Sequence, residues 1–225
     1  MKQLTLGTLA GLAGWGTLVG IDLVSFPQAL LSRPLIAGAG AGLILGEFAI
    51  GIQVGLVLEL FALDVLPVGA ARYPDYGPAV VGAVVLAAGA ATERVLGLAA
   101  LFGLGLAVLG GLTLQILRQV NGRLIRRSAA GLATGDAATI AGVQYRGLVG
   151  DLLRSLLFTG LAVALALLLR PWLPDGERYA MVTAVAVGSG VAAALGGAIR
   201  SAGRGARLRW LAAGAGLGLL LGVLR

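Results

Sequence analysis

The chain has 225 residues, of which 58% are hydrophobic and only 12% are charged. Soluble domains carry about 25% charged residues, so a chain this apolar cannot cover a globule with polar groups, and we expect an integral protein of the lipid bilayer. The net charge of +7 does not indicate nucleic-acid binding, because arginines gather in short connectors between apolar runs, as in the cytoplasmic loops of membrane proteins. The sequence contains no Cys and no His, which excludes disulfides, thiolate or imidazole metal sites and Ser–His or Cys–His nucleophile pairs. We therefore predict no catalytic residue, no metal and no cofactor.

The first predicted membrane span covers residues 4–24, about 31 Å of helix, which is close to one hydrocarbon thickness. The run is long and lacks a clear cleavage site before Ser25, so we interpret it as a retained helix rather than a signal peptide. Asp22, near its end, is expected at the interface or facing a cavity. Pro27 and Pro34 then break the chain, because proline removes a backbone donor and biases its predecessor away from helix.

The stretch 35–66 is mostly apolar, yet it is too long for one straight span and too short for two. It holds Glu47 and Glu59, and a charged group at mid-bilayer costs about 2.5–3.5 kcal/mol on insertion scales, so such residues usually face a protein-walled cavity. We predict two shorter helices or a re-entrant hairpin with a break near Gly46 and Glu47, since irregular backbone at this depth must be covered by protein or water. Residues 79–91 are also too short to cross and are predicted to form a second half-helix.

Small residues recur at a four-residue spacing within this stretch. The two stripes are Gly38, Gly42 and Gly46, then Gly51, Gly55 and Glu59. Each stripe would lie on one helix face and allow two backbones to approach closely. We expect tight helix packing, with Glu59 at a packed interface and away from lipid.

The second half of the chain has a simpler hydropathy pattern. Residues 118–147 form the longest polar stretch and are predicted to be an amphipathic cytoplasmic segment with a turn at Gly135–Asp136. The proline-containing connector 170–179 is expected on the opposite side. The runs of full spanning length are 95–117, 148–169 and 178–199, and a short last span is predicted at 208–224.

These segments predict an all-α, polytopic membrane protein with about five full spans plus broken or re-entrant helical hairpins. Residues 1–225 are expected to form a single domain. Its parts would be an N-terminal half with the hairpins and the solute loop (1–117), the cytoplasmic segment (118–147) and C-terminal helices (148–225).

The loop LPVGAARYPDYGP at 66–78 combines Arg72, Tyr73 and Asp75 with three prolines. Fixed donors, acceptors and an aromatic face suit a hydroxyl-rich ligand, but a rigid interfacial turn with an Arg–Asp pair explains the composition equally well. Glu59 has two interpretations too. It either bonds to solute hydroxyls or gates the path, or it is a structural carboxyl that is held neutral or paired with an arginine.

The segment RPLIAGAGAGLILGEFAIGIQVGLVLELFAL, followed by VGAARYPD, resembles the IIC subunit of the mannose/fructose/sorbose family of the bacterial phosphotransferase system. The shared features are an arginine-proline-leucine start, a G-x-x-x-G-x-x-x-E stripe and a G-A-A-x-x-P-D loop. A weaker likeness covers residues 133–157.

This resemblance implies a multi-pass sugar permease subunit of the bacterial inner membrane, which is a transport subunit and not an enzyme. It also implies a IID membrane subunit and the phosphocarrier proteins IIA and IIB as partners, and we expect a homo-oligomer. The sugar would bind among broken helices, where one domain would move against a scaffold. The sugar-site candidates carried over by motif position are Glu59, Gly69, Ala70, Ala71 and Asp75, with Asp22, Pro67, Arg72 and Tyr73 as further candidates.

The chain also departs from the family's pattern. Pro67 stands where the family often has asparagine, which removes a polar contact, and Gln144 stands where relatives often have histidine. Two alternatives therefore stay open: a transporter of the same fold that moves another polar solute without phosphotransfer, and a non-transporting scaffold subunit.

Overall fold

The structure, a computed structural model, describes residues 4–63, 65, 72–89, 92–173, 179–202, 209 and 213. All regular elements within these ranges are helical, which agrees with the predicted all-α class. They are α1 (Leu6–Asp22), α2 (Pro34–Leu45), α3 (Phe48–Ala62), α4 (Tyr76–Ala87), α5 (Thr92–Arg127), α6 (Ala129–Ala133), α7 (Ala137–Leu169), a 3₁₀ turn (Arg170–Trp172) and α8 (Tyr179–Ala202). The last span predicted at 208–224 lies outside the described residues, apart from Arg209 and Ala213.

Helix α1 is shorter than the predicted first span, with 17 residues. It starts after Thr5, whose hydroxyl accepts a hydrogen bond from the Thr8 N–H at 3.2 Å and so caps the first turn. It ends at Asp22, from which the chain turns into the loop 23–33.

Helices α2 and α3 form the predicted hairpin, and its break falls where the sequence indicates. They have 12 and 15 residues, about 18 Å and 22 Å of helix, so each is too short to cross a 30 Å hydrocarbon core. Gly46 ends α2 with a left-handed φ of 71°, a conformation that glycine adopts without steric cost. Gly46 is therefore the turn residue of the hairpin.

The remaining glycines of the two stripes pack against each other. A Cβ on Gly42 would lie 3.0 Å from the Cα of Gly51, and a Cβ on Gly55 would lie 2.7 Å from the carbonyl oxygen of Pro34. Backbone thus meets backbone along the hairpin, as small residues allow in membrane helices. The expected tight packing is confirmed.

Helix α4 is the predicted half-helix, although it begins three residues earlier than expected. Every residue of Tyr76–Ala87 is buried, and the helix packs against α1, α2, α3, α5 and α7. A helix that is apolar on all sides belongs at the centre of a bundle. Its first turn therefore has a fixed place beside the ends of α1 and α3.

Helices α5 and α7 run antiparallel past α4 and are the longest elements. Among the described residues, two helices are long and apolar enough to cross a membrane, Val95–Arg127 and Ala137–Trp172. Both continue into the stretch 118–147, so no break in the helix separates the polar stretch from the apolar spans. The predicted turn is present: Gly135 has a φ of 70°, and Asp136 caps α7. The predicted number of about five full spans stays a prediction.

Candidate functional site

A cavity of about 430 Å³ lies where the loop 23–33, the open end of the α2–α3 hairpin and the start of α4 come together. We call it the solute cavity. Its polar lining residues are Asp22, Gln28, Ser32, Arg33, Tyr73 and Tyr76. The ends of α2, α3 and α4 thus meet the loop 23–33 at a space whose wall carries both polar and apolar side chains.

Asp22 holds the loop over this cavity. Its side chain is buried, and its two carboxylate oxygens accept hydrogen bonds from the N–H groups of Ala29 (2.7 Å) and Ser32 (2.9 Å). The loop contains two non-glycine residues with positive φ, Gln28 at 57° and Leu30 at 64°. Such conformations are disfavoured for L side chains and persist where the surroundings impose them, and the two bonds to Asp22 hold this part of the loop in place.

Glu59 stands behind the cavity wall and supports it. Its carboxylate is paired with the guanidinium of Arg33 and also accepts a hydrogen bond from the Leu35 N–H at 3.1 Å. The second bond satisfies one of the donors left open in the first turn of α2. The arginine pairing considered from the sequence is present, and Arg33, not Glu59, lines the cavity.

The segment before α4 and the first residue of that helix form the opposite wall, through Tyr73, Pro74 and Tyr76. The Tyr73 hydroxyl accepts a hydrogen bond from Arg118 Nη2 at 2.5 Å, and the Arg118 guanidinium carbon lies 4.9 Å from the centroid of the Tyr73 ring. Arg72 is exposed and lines a separate, shallower cavity of about 240 Å³.

Asp75 points away from the solute cavity. It is fully buried, its Oδ2 accepts a hydrogen bond from Arg154 Nη1 at 2.7 Å, and its N–H donates to the carbonyl oxygen of Ala107 at 2.8 Å. The side chain therefore fixes the backbone of the cavity wall from behind.

Arg154 is the centre of a buried polar network that sequence reasoning missed. Its Nε donates to Asp151 Oδ1 at 3.0 Å, and Asp151 Oδ2 accepts from the Ser25 hydroxyl at 2.5 Å. The Nη2 of Arg154 lies 3.3 Å from the carbonyl oxygen of Gly20. One guanidinium thus connects α1, α4 and α7, and it is shared by two carboxylates.

The sequence did contain a signal for this network. Asp151 and Arg154 are two charges three residues apart in the apolar run 148–169, and the argument that placed Glu59 at a cavity applies to them equally. The candidates Pro67, Gly69, Ala70 and Ala71 lie outside the described residues. Within the described part of the chain, no group of three or more metal-ligating side chains occurs.

Comparison with known proteins gives the family. A family model described as "PTS system sorbose-specific iic component" matches residues 4–200. The chain belongs to this family of the phosphotransferase system. The resemblance of its hairpin and loop motifs is thereby confirmed, and the chain is a membrane protein of the IIC type.

One curated relative agrees with this assignment. The sorbose-specific EIIC component of Lacticaseibacillus casei is 44% identical over 61 residues, which cover 27% of this chain and 22% of that protein. The match thus spans about a fifth of the curated relative's length.

Two solved structures have a similar fold. One, described as "Structure of membrane protein", matches with a TM-score of 0.74, 18% identity and coverage of 99% of this chain and 96% of its own. The second, a complex of the mannose transporter ManYZ with microcin E492, matches with a TM-score of 0.60 at the same identity and coverages. At this identity the likeness shows the fold alone.

Proposed function

We propose that the chain is a IIC permease subunit that moves a sugar of the mannose/fructose/sorbose type through the bacterial inner membrane, coupled to the sugar's phosphorylation by partner proteins. The observation that carries this proposal is the solute cavity, with polar side chains in its wall, at the junction of the hairpin and the half-helix. Its volume of about 430 Å³ lies within the range of 300–1,000 Å³ that is usual for small-molecule sites.

The lining groups match the chemistry of a sugar. Arg33 supplies a charged donor, and Ser32 adds a hydroxyl that can both donate and accept. Asp22, whose two oxygens accept from the N–H groups of Ala29 and Ser32, holds Ser32 in the wall. The rings of Tyr73 and Tyr76 offer an apolar face for the C–H side of the sugar. We propose Gly69, Ala70 and Ala71 as further parts of this wall, on the basis of the family's motif.

Glu59 and Asp75 support the site from behind. Glu59 orients the Arg33 guanidinium toward the cavity, and Asp75 holds the segment that carries Tyr73 through Arg154. A change in either carboxylate would thus alter sugar affinity without a direct contact with the sugar.

Coupling to phosphotransfer would need other proteins. The chain has no histidine and no cysteine, so the phosphoryl group would come from phosphohistidine on partner IIA and IIB proteins. A IID subunit and further copies of this chain would complete the membrane complex, in which the hairpin moves against the long helices.

The test is transport by the full chain, reconstituted with its IID subunit in proteoliposomes that hold phosphorylated IIB on one side. We expect radiolabelled sugar to accumulate as its phosphate only when phosphorylated IIB is present. Assembly of the complex without any uptake would contradict the proposal and favour the scaffold alternative.

Pro67 favours a second candidate function, a transporter of the same fold that moves another polar solute without phosphotransfer. It stands where the family often has asparagine. Uptake of a chemically unmodified solute in liposomes that lack IIB would support this candidate.

A further inference from the structure

An open groove of about 360 Å³ lies on α5 where the polar stretch 118–147 begins. We call it the basic groove. It is lined by Arg118, Gln119, Gly122, Arg123 and Arg126. These residues recur at spacings of three and four, so they lie on one face of the helix. None of them belongs to the lining of the solute cavity.

The basic groove carries positive charge without a carboxylate in its lining. Arg123 and Arg126 are exposed, and within the described part of the chain neither is paired with an acidic side chain. Arg118 is partly buried and already donates a hydrogen bond to Tyr73, so Arg123 and Arg126 are the candidates for binding an anion. A guanidinium binds a phosphate through two parallel hydrogen bonds, which makes a phosphate group a suitable ligand.

The same face of α5 continues into the apolar run 95–117. The shallow cavity of about 240 Å³ that contains Arg72 is also lined by Val108, Gly111, Leu112 and Gln115 of α5. Gln115 precedes Gln119 by one helical turn, so these positions lie on the stripe that leads to the basic groove. Val108 and Leu112 are 58% and 49% exposed, so this part of the stripe presents apolar side chains. The described lining of the shallow cavity also contains no carboxylate.

The stripe has the polarity and the length of a phospholipid. From Val108 to Arg126 it extends about 27 Å along the helix axis, and one leaflet with its headgroups is roughly 20–22 Å thick. The change from apolar to basic side chains falls at Arg118, directly after the apolar run, where hydrocarbon meets headgroups. A soluble phosphate or an acidic protein would match the arginines but not the exposed apolar side chains of the same stripe.

We propose that this face of α5 binds an anionic phospholipid, with the headgroup phosphate at Arg123 and Arg126 and an acyl chain along Val108 and Leu112. Anionic lipids of the cytoplasmic leaflet attract basic side chains that lie next to a membrane span. The inference concerns the lipid and does not depend on whether the chain moves a sugar.

The test is native mass spectrometry of the purified full chain in detergent. Phosphatidylglycerol is the anionic probe, and phosphatidylcholine with the same acyl chains is the zwitterionic comparison. We expect phosphatidylglycerol to bind at least about tenfold more tightly, because only this lipid has a net negative charge. The double variant Arg123→Gln/Arg126→Gln should weaken its binding about tenfold or more. Leu112→Gln, which removes part of the apolar stripe, should weaken it about threefold.

The matched control is the double variant Arg127→Gln/Arg146→Gln. Both arginines are exposed and line neither the basic groove nor the shallow cavity, and the change removes the same net charge. We expect it to leave the affinity for phosphatidylglycerol unchanged within about twofold. Both double variants should unfold thermally at the same temperature as the unchanged chain, because all four side chains are exposed.

The inference is overturned if the two double variants weaken phosphatidylglycerol binding equally, or if phosphatidylcholine binds as tightly as phosphatidylglycerol. Displacement of phosphatidylglycerol by millimolar inorganic phosphate would also overturn it, because the site would then bind the free anion. An unchanged affinity in Leu112→Gln would contradict the placement of the acyl chain.

Discussion

Arg154 and Asp75 lie 79 residues apart in the chain, yet the guanidinium and the carboxylate meet at 2.7 Å with both side chains buried. The same guanidinium reaches Asp151 on its own helix and the backbone of Gly20 at the end of α1. The wall of the solute cavity that carries Tyr73 is therefore fixed by residues that do not touch the cavity.

Replacement of Arg154 by Gln should destabilise the fold strongly. It leaves the carboxylates of Asp75 and Asp151 buried without a cation, and loss of one partner from a buried ion pair costs about 3–5 kcal/mol. Chemical denaturation of the full chain in detergent micelles measures this loss. Arg146 is exposed, so Arg146→Gln serves as the control and should change the free energy of unfolding by no more than about 0.5 kcal/mol. An equal loss of stability in the two variants would refute the stabilising role of Arg154.

The hairpin should tolerate no side chain at its glycine contact. A Cβ at Gly51 would lie 2.8 Å from the Cα of Gly42, so Gly51→Ala forces the two backbones apart at a cost of about 1–3 kcal/mol. Gly105 on α5 has open space where a Cβ would lie, with no neighbouring atom within 4 Å, so Gly105→Ala should be neutral or stabilising by up to about 1 kcal/mol. Thermal unfolding of the two variants measures the difference. A similar loss of stability in Gly51→Ala and Gly105→Ala would show that Gly51 is not required for the packing of α2 against α3.

The sequence predicted the hairpin because its signals are local. Gly46 and the glycine stripes mark a left-handed turn and close backbone approach, and both depend on residue type more than on distant partners. The lengths of α5 and α7 were not predicted, because a change from apolar to polar residues does not end a helix when Arg, Gln and Leu all favour helix.

The candidate site was predicted only in part. Of the residues singled out in the sequence, Asp22 and Tyr73 line the cavity between the hairpin and α4, and their role in binding a solute stays a prediction. The pairing of Glu59 with Arg33 and of Asp75 with Arg154 could not be derived, because helices that are apolar on every side have no periodicity that tells which face meets which neighbour.

The carboxyl of Asp136, at the turn between α6 and α7, should have a pKa below the usual range for an aspartate. The Thr139 hydroxyl and backbone N–H donate to Asp136 at 2.5 Å and 2.9 Å, and these bonds, the side-chain one first, lower the pKa of the Asp136 carboxyl. The cap therefore stabilises α7 fully above the ordinary carboxyl pKa, and its contribution is lost as the pH falls through the lowered pKa. In Thr139→Val, which removes the hydroxyl, the pKa of the Asp136 carboxyl should return toward its ordinary value. Carbon NMR of the Asp136 side chain measures this titration. A titration midpoint that does not move would contradict the capping role.

Glu59→Gln should raise the KM for sugar. The amide oxygen still accepts from the Leu35 N–H, but Arg33 loses its charged partner and its fixed orientation in the cavity. We expect a rise of about tenfold, with assembly with the IID subunit unchanged, in proteoliposome uptake. Glu59→Leu removes both contacts and should reduce uptake further, whereas the scaffold alternative predicts no effect of either change.

A sugar that occupies the solute cavity should protect a thiol in the cavity wall from chemical labelling. The chain has no native cysteine, so Ser32→Cys places a single thiol in the cavity wall and Ser128→Cys places one at the turn after α5. At a sugar concentration about ten times its Kd, the account predicts that a transported sugar slows maleimide labelling of Ser32→Cys roughly tenfold. Labelling of Ser128→Cys should not change. Equal labelling rates of Ser32→Cys with and without the sugar would contradict the account.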